Sequence, residues 1–305
     1  MKNFWAYLQE RFPLHANGVL IVSYFTANYL LARAAVWPSE RLTLTWSYWA
    51  GCVVLLLMFF HLRVIDEHKD YEQDLIVHPN RALSRGLVTL GQLRRVGGLA
   101  IALELGLSLM MGWPAFTGCL ILLSLSWLIS KEFYMGETLH RHLLPNALLH
   151  MLVMPMYSLF VFAIATGRYP WEAPGPALMY AWVSYGVGLA YELARKTRAP
   201  HDERPGLVTY SSAIGPYPSA LGVLLALCFS GLLSMWVGRA LNFGSWYHWA
   251  VGGLLLGVLA GVAHFRLRTT TATAARLAVY AGLFIFAFDW LLAVELIRLH
   301  GLVWG

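Results

Sequence analysis

Five of the sixteen acidic side chains in this 305-residue chain fall within residues 66–74, as Asp66, Glu67, Asp70, Glu72 and Asp74, directly after an apolar run long enough to cross a membrane. At about 100° per residue, with Asp66 at 0°, a helix puts Asp70 at about 40°, Asp74 at about 80° and Glu67 at about 100°, so four carboxylates share one face. Glu72 points elsewhere. Like charges one turn apart destabilise a helix, and acids at membrane depth cost roughly 2.5–3.5 kcal/mol each on insertion scales, so such a cluster needs cations. An oxygen-only ligand set without cysteine favours Mg²⁺, usually held by one or two carboxylates and sharing its remaining sites with water and substrate phosphate.

A second polar segment runs Tyr191-Glu192-Leu193-Ala194-Arg195-Lys196-Thr197-Arg198 and continues through Asp202-Glu203-Arg204. With Glu192 at 0°, Arg195 lies at about −60° and Lys196 at about 40°, so an acid and two bases share a face. Such bases suit the oxygens of an anionic group.

The elements that must position these residues are membrane helices. The chain is 58% hydrophobic and only 12% charged, where ordinary soluble domains have about a quarter of their residues charged. Apolar runs long enough to span a bilayer centre near Tyr24, Val53, Leu103, Leu122, Val153, Ser184, Leu225, Leu255 and Phe286. The expected fold is therefore an all-α polytopic bundle of nine transmembrane helices forming one domain over residues 1–305. Residues 1–13 are expected to form an interfacial N-terminal segment that anchors the chain, and no cleavable signal is read. Seventeen of the 22 Lys and Arg fall at the N-terminus or in the loops after even-numbered spans, which assigns the N-terminus and those loops to the cytoplasmic face. Two of these loops, residues 63–93 and 195–214, exceed what a connection needs, and their spacing suggests two four-helix halves plus a ninth helix. Cys52, Cys119 and Cys228 sit singly in apolar runs, as packing residues. The net charge of +6 follows membrane topology rather than a nucleic-acid partner.

After the acidic cluster comes Arg81-Ala82-Leu83-Ser84-Arg85-Gly86. Together the two segments resemble the UbiA superfamily of intramembrane prenyltransferases, whose first signature is Asn-Asp-x-x-Asp-x-x-x-Asp followed by Arg-Pro-Leu-x-x-Gly. Asp66 stands where that family has Asn, Glu67 replaces its first Asp, Asp70 and Asp74 match, and Ala82 replaces Pro. The second family signature, Asp-x-x-Asp and then Asp-x-x-x-Gly-x-x-Thr, is met by Glu192, Asp202, Gly206 and Thr209 if about three residues are inserted, with Arg195 on its second Asp. Nine helices and two cytoplasmic polar loops capping the active site are also what the resemblance implies.

The resemblance further implies Mg²⁺ held by Asp66, Glu67, Asp70, Asp74, Glu192 and Asp202, with Asp70, Asp74 and Glu192 nearest the chemistry. Arg81, Lys131, Arg141, Arg195, Lys196 and Arg198 are candidates for the diphosphate, and Tyr134, Asn146, His150 and Tyr191 for the acceptor or isoprenoid pocket. The implied reaction ionises an allylic isoprenyl diphosphate and passes the cation to a small or lipidic acceptor. Developing negative charge is met by fixed positive charge, and aromatic faces shelter the cation. The alternative on the same scaffold is a terpene cyclase, in which a double bond of the substrate attacks and no acceptor is used. A CDP-alcohol phosphotransferase lacks its Asp-Gly lead-in here, and a transporter would place its acids within the spans. Glu104 and Asp289 do lie in apolar runs, as functional groups or as helix-to-helix hydrogen-bond partners. His140 and His142 face different sides of a helix and are read as interfacial.

Overall fold

The computed structural model describes residues 2–204, 206 and 208–305, apart from the side chains of His140 and Arg141. The chain opens with α1 (Lys2–Arg11) and α2 (Leu14–Val36), then a short strand β1 (Leu42–Leu44), α3 (Trp46–Lys69) and α4 (Tyr71–Val77). Helices α5 (Leu90–Met110) and α6 (Trp113–Ser130) lead through a 3₁₀ turn, Glu132–Tyr134, into α7 (Gly136–Arg141), α8 (Leu143–His150) and α9 (Val153–Thr166). Then follow α10 (Gly175–Arg195), α11 (Tyr210–Ile214), α12 (Pro216–Ala240), α13 (Ser245–Leu267), α14 (Thr271–His300) and β2 (Leu302–Trp304).

The long helices pack in chain order, α2 on α3, α3 on α5, α5 on α6, α6 on α9, and onward through α10, α12 and α13 to α14, which returns against α2. The bundle is therefore closed. Parallel pairing of Leu42 with Leu302 through Leu44 with Trp304 ties the first loop to the chain's last strand. Neither strand was expected.

Among the described residues, seven helices are long and apolar enough to cross a membrane, with α8 and α9 counted as one run. The protein is a helical integral membrane protein. The two other expected spans fall on α5 and α10, which are diluted by Arg94, Arg95 and Glu104 in one and by Glu192 and Arg195 in the other. Large apolar side chains such as Trp49, Trp249, Leu232 and Leu256 face outward, as expected where lipid is the solvent.

The two long polar loops are folded. Across residues 63–93, α3 runs on to Lys69, α4 follows, and Thr89 opens α5 with a capping box, its hydroxyl accepting from the Gln92 N–H while the Gln92 side chain accepts from the Thr89 N–H. Thr209 caps α11 and Thr270 caps α14 in similar fashion. The expected span near Val153 is broken after His150. Pro155 lacks the N–H that would bond to Met151 four residues back, so one helix cannot run straight through. That break places His150 at a helix end.

Candidate active site

The last turns of α3 carry the acidic cluster out of the apolar bundle. Asp70 ends the helix with a bridge-region backbone, φ −92° and ψ 3°. The Asp70 N–H still bonds the Asp66 carbonyl at 2.8 Å, and the Asp74 N–H bonds the Asp70 carbonyl at 2.8 Å. The helical repeat thus survives into α4 and keeps Asp66, Asp70 and Asp74 in line.

The expected four-carboxylate face divides into two pairs. Glu67 and Asp74, at the far edge of that face, are taken by protein cations. Arg11 Nε donates to Glu67 Oε1 at 2.6 Å and a terminal nitrogen of Arg11 lies 3.7 Å from Asp74, which Arg81 also bonds directly. Among the described residues Asp66 has only Arg63, at 3.9 Å. Among the described residues the Asp70 carboxylate has no hydrogen-bond or ion-pair partner. Asp70 is exposed at the surface, yet the crowding of the loop end still pushes its carboxyl above the usual carboxylate range, by partial desolvation first, then by Asp66 and Asp74, against the pull of Lys69 and Lys196.

Arg11 is delivered by α1, which is more than an interfacial anchor. Tyr7 is fully buried, Phe12 meets Phe60 edge-on at 5.6 Å, and the Glu10 carboxylate accepts the Ala82 N–H at 3.1 and 3.2 Å. Trp5 on the same helix stays exposed.

At the end of α10, Glu192 accepts from Arg195 and from Lys196, each at 2.7 Å, as the i,i+3 and i,i+4 spacing predicts. The Tyr210 hydroxyl is 3.4 Å from Glu192, and Lys196 Nζ stands 5.9 Å from the centroid of the Tyr210 ring. The second loop turns Asp202 elsewhere. Its carboxylate accepts from Thr271 Oγ1 at 2.9 Å in the first turn of α14. Glu203 accepts from Thr209 at 2.8 Å and Ser211 at 2.6 Å, holding the loop's own shape. Arg198 is exposed, within electrostatic range of His78.

The two loops meet. Gln73 Nε2 reaches the Gly206 carbonyl at 3.5 Å, and Gly206 has φ +82°, a left-handed backbone that suits glycine. The charge of Lys196 acts on Asp70 and that of Asp66 on Arg195, while His150 lies among Asp66, Lys69, Glu192 and Lys196. Lys69 pairs with Glu132 at 3.0 Å. Glu132, Phe133 and Tyr134 form an uncommon run of three left-handed non-glycine residues, φ 49°, 53° and 57°. The site thus joins Asp66, Asp70, His150, Glu192, Arg195 and Lys196.

Other expected residues fall outside that group. Tyr134 is exposed and meets Trp127 edge-on at 5.9 Å. Tyr191 turns toward α14, where a Cβ added at Gly282 would lie 3.7 Å from its ring. Lys131 is exposed, Asn146 lies one turn before His150, and the Arg141 side chain falls outside the described residues. Arg11, Lys69 and Tyr210 were not expected. Arg11 had a signal, a base just ahead of the first span, but nothing local pointed to residues 67 and 74.

Among the described residues no three His, Cys, Asp or Glu side chains already converge as a metal cage. Asp66 and Asp70, a turn apart and free of tight protein cations, are instead a donor set for an ion that takes one or two carboxylates and fills its shell with water and phosphate.

The UbiA prenyltransferase family matches residues 20–292. No curated protein matches by sequence. Among solved structures, a UbiA homologue from Aeropyrum pernix superposes with a TM-score of 0.68 at 13% identity, over 92% of this chain and 97% of that one. A digeranylgeranylglyceryl phosphate synthase gives 0.64 at 16% identity, over 98% and 100%. A UbiA homologue from Archaeoglobus fulgidus, bound to GPP and Mg²⁺, gives 0.52 at 12% identity, over 95% and 99%. At such identities the superpositions speak for the fold, and the family match, over nine-tenths of the chain, speaks for kinship: this chain belongs to the UbiA prenyltransferase family.

Proposed function

We propose that this protein transfers an isoprenyl group from an allylic diphosphate to a small or lipidic acceptor, with Mg²⁺, at the end of the bundle where the two loops meet. The observation that carries the reading is the opposition of charge there, with Asp66 and Asp70 on one loop and Arg195 and Lys196 on the other. An anion such as diphosphate, brought with a divalent cation, is complementary to both at once. Family membership and a relative bound to GPP and Mg²⁺ support it. In the same reading nine helices span the membrane, residues 1–305 form one domain, and the N-terminus and both loops face the cytoplasm, as the Lys and Arg bias suggests.

Bound Mg²⁺ would supply charge neutralisation of the diphosphate, with Asp66 and Asp70 holding it. Arg195 and Lys196 meet the outer diphosphate oxygens, and Glu192 sets their positions at 2.7 Å each. As the allylic C–O bond lengthens, negative charge grows on the leaving oxygen in the field of these fixed cations, and an interaction stronger in the transition state than in the ground state accelerates the step. The isoprenyl chain lies within the apolar bundle, where water is excluded and aromatic faces are plentiful. The acceptor's nucleophile then attacks the allylic carbon and releases its proton, for which His150, among Asp66, Lys69, Glu192 and Lys196, is a base of suitable type.

Mass spectrometry of the organic extract, after purified protein in lipid is given geranyl, farnesyl or geranylgeranyl diphosphate with Mg²⁺, tests this reading. A prenylated product that forms only with added lipid or aromatic acceptor supports transfer. A cyclic hydrocarbon without acceptor would replace transfer by cyclisation, and intact diphosphate under every condition would overturn both.

A further inference from the structure

Resting on that reading, we propose that Arg11 and Arg81 are resident counter-cations that take the place of a second divalent ion, so that this chain loads one ion, at Asp66 and Asp70.

The first motif brings four carboxylates, of which Glu67 and Asp74 are bonded by Arg11 and Arg81. Asp66, loosely paired with Arg63 at 3.9 Å, and Asp70 remain open to an ion, and one divalent ion matches two carboxylates. The second motif, where a further ion would need acids, has Glu192 saturated by Arg195 and Lys196. Its surplus is positive, so it repels a cation and attracts phosphate oxygens.

The Arg11 contact is built into the fold. The Glu67 side chain is 1% exposed and that of Arg11 is 16% exposed, so the pair is screened from water, and α1 is fastened by buried Tyr7 and by Glu10 on the Ala82 N–H. An ion entering at Glu67 would have to displace a guanidinium whose helix is packed in place. Removing that guanidinium alone would leave the Glu67 carboxylate, 1% exposed, without its cation and Asp74 held by Arg81 alone, and a buried uncompensated carboxylate demands a replacement cation or a proton.

Mn²⁺ in place of Mg²⁺ allows the ions to be counted. With geranylgeranyl S-thiolodiphosphate as a substrate analogue that resists ionisation, equilibrium dialysis and loss of the free-Mn²⁺ electron paramagnetic resonance signal should give one ion per wild-type chain. Arg11→Gln should bind two, and Arg11→Lys, which keeps the charge, should return to one. Two ions in the wild type would overturn the inference without any variant being needed, as would a single ion in a folded Arg11→Gln. Two ions would leave the prenyltransferase reading standing, whereas no ion in the wild type would overturn the inference and that reading together.

Discussion

Polar groups gather in two regions of this molecule and behave differently in each. Inside the bundle they close on one another. His61 is bonded by Glu104 at 2.8 Å and by Ser126 at 3.0 Å, Asp289 accepts from Tyr180 at 3.1 Å, and Tyr24 meets Ser158 at 2.8 Å. Each contact links two helices and leaves little exposed, which is how polar side chains pin helices where no water competes. At the loop end the groups are charged, in surplus on each side, and one, Asp70, has no partner among the described residues. The same side-chain types therefore serve folding where they pair between helices, even though Glu104 Oε2 and Asp289 Oδ2 keep no hydrogen-bond partner among the described residues, and binding where charge is left in surplus at the surface.

The largest effect expected from that contrast is at Asp70. Asp70→Asn should lower turnover by at least about 10²-fold, the scale for removing one electrostatic stabiliser of a transition state, with the protein still folded by circular dichroism. Its stability should move the other way. Desolvation and neighbouring acids raise the Asp70 carboxyl above its ordinary range in the folded state. The native state therefore binds more protons than the unfolded one in that window, and metal-free stability falls as pH rises through it. Asp70→Asn removes this penalty, so its unfolding temperature at neutral pH, without metal, should exceed that of the wild type and depend less on pH just above the ordinary carboxylate range.

Next in size come the facing bases. Arg195→Ala and Lys196→Ala should each lower kcat/KM by about 10-fold to 100-fold, equal to roughly 1.4–2.8 kcal/mol. The double variant should lose less than the product of the two, because both act through Glu192 and one diphosphate. Steady-state kinetics on three donor lengths would check this, and an equal loss of binding and turnover would mark uniform ground-state binding instead. The smallest effect belongs to the bundle interior. Tyr180→Phe deletes the bond to Asp289, and such intramembrane hydrogen bonds average about 0.6 kcal/mol. A slight fall in unfolding temperature with unchanged kcat is expected. A kcat loss as large as that of Asp70→Asn would end the distinction between the regions.

Much of the loop end was legible in the sequence because it is written locally. The i,i+4 run of Asp66, Asp70 and Asp74 and the i,i+3 and i,i+4 pairing of Glu192 with Arg195 and Lys196 follow from helical periodicity alone, and both survive in the structure. Apolar length located the long helices, although α5 and α10 carry enough charge to fall below the usual mark for a span. What stayed hidden depends on partners distant in the chain. Arg11 meets Glu67 across 56 positions, and β1 pairs with β2 across some 260, contacts with no local period. Asp202 illustrates the converse. Its spacing suited a ligand, yet Thr271 lies close enough to claim it.

Mg²⁺-dependent ionisation of the donor at Asp70 is tested by pyrophosphate release from geranylgeranyl diphosphate, by purified protein in lipid, with Mg²⁺ or EDTA, for wild type, Asp70→Asn and Tyr180→Phe. Release that needs Mg²⁺, vanishes in Asp70→Asn and persists in Tyr180→Phe is predicted. Release indifferent to EDTA, or equal in wild type and Asp70→Asn, would contradict it.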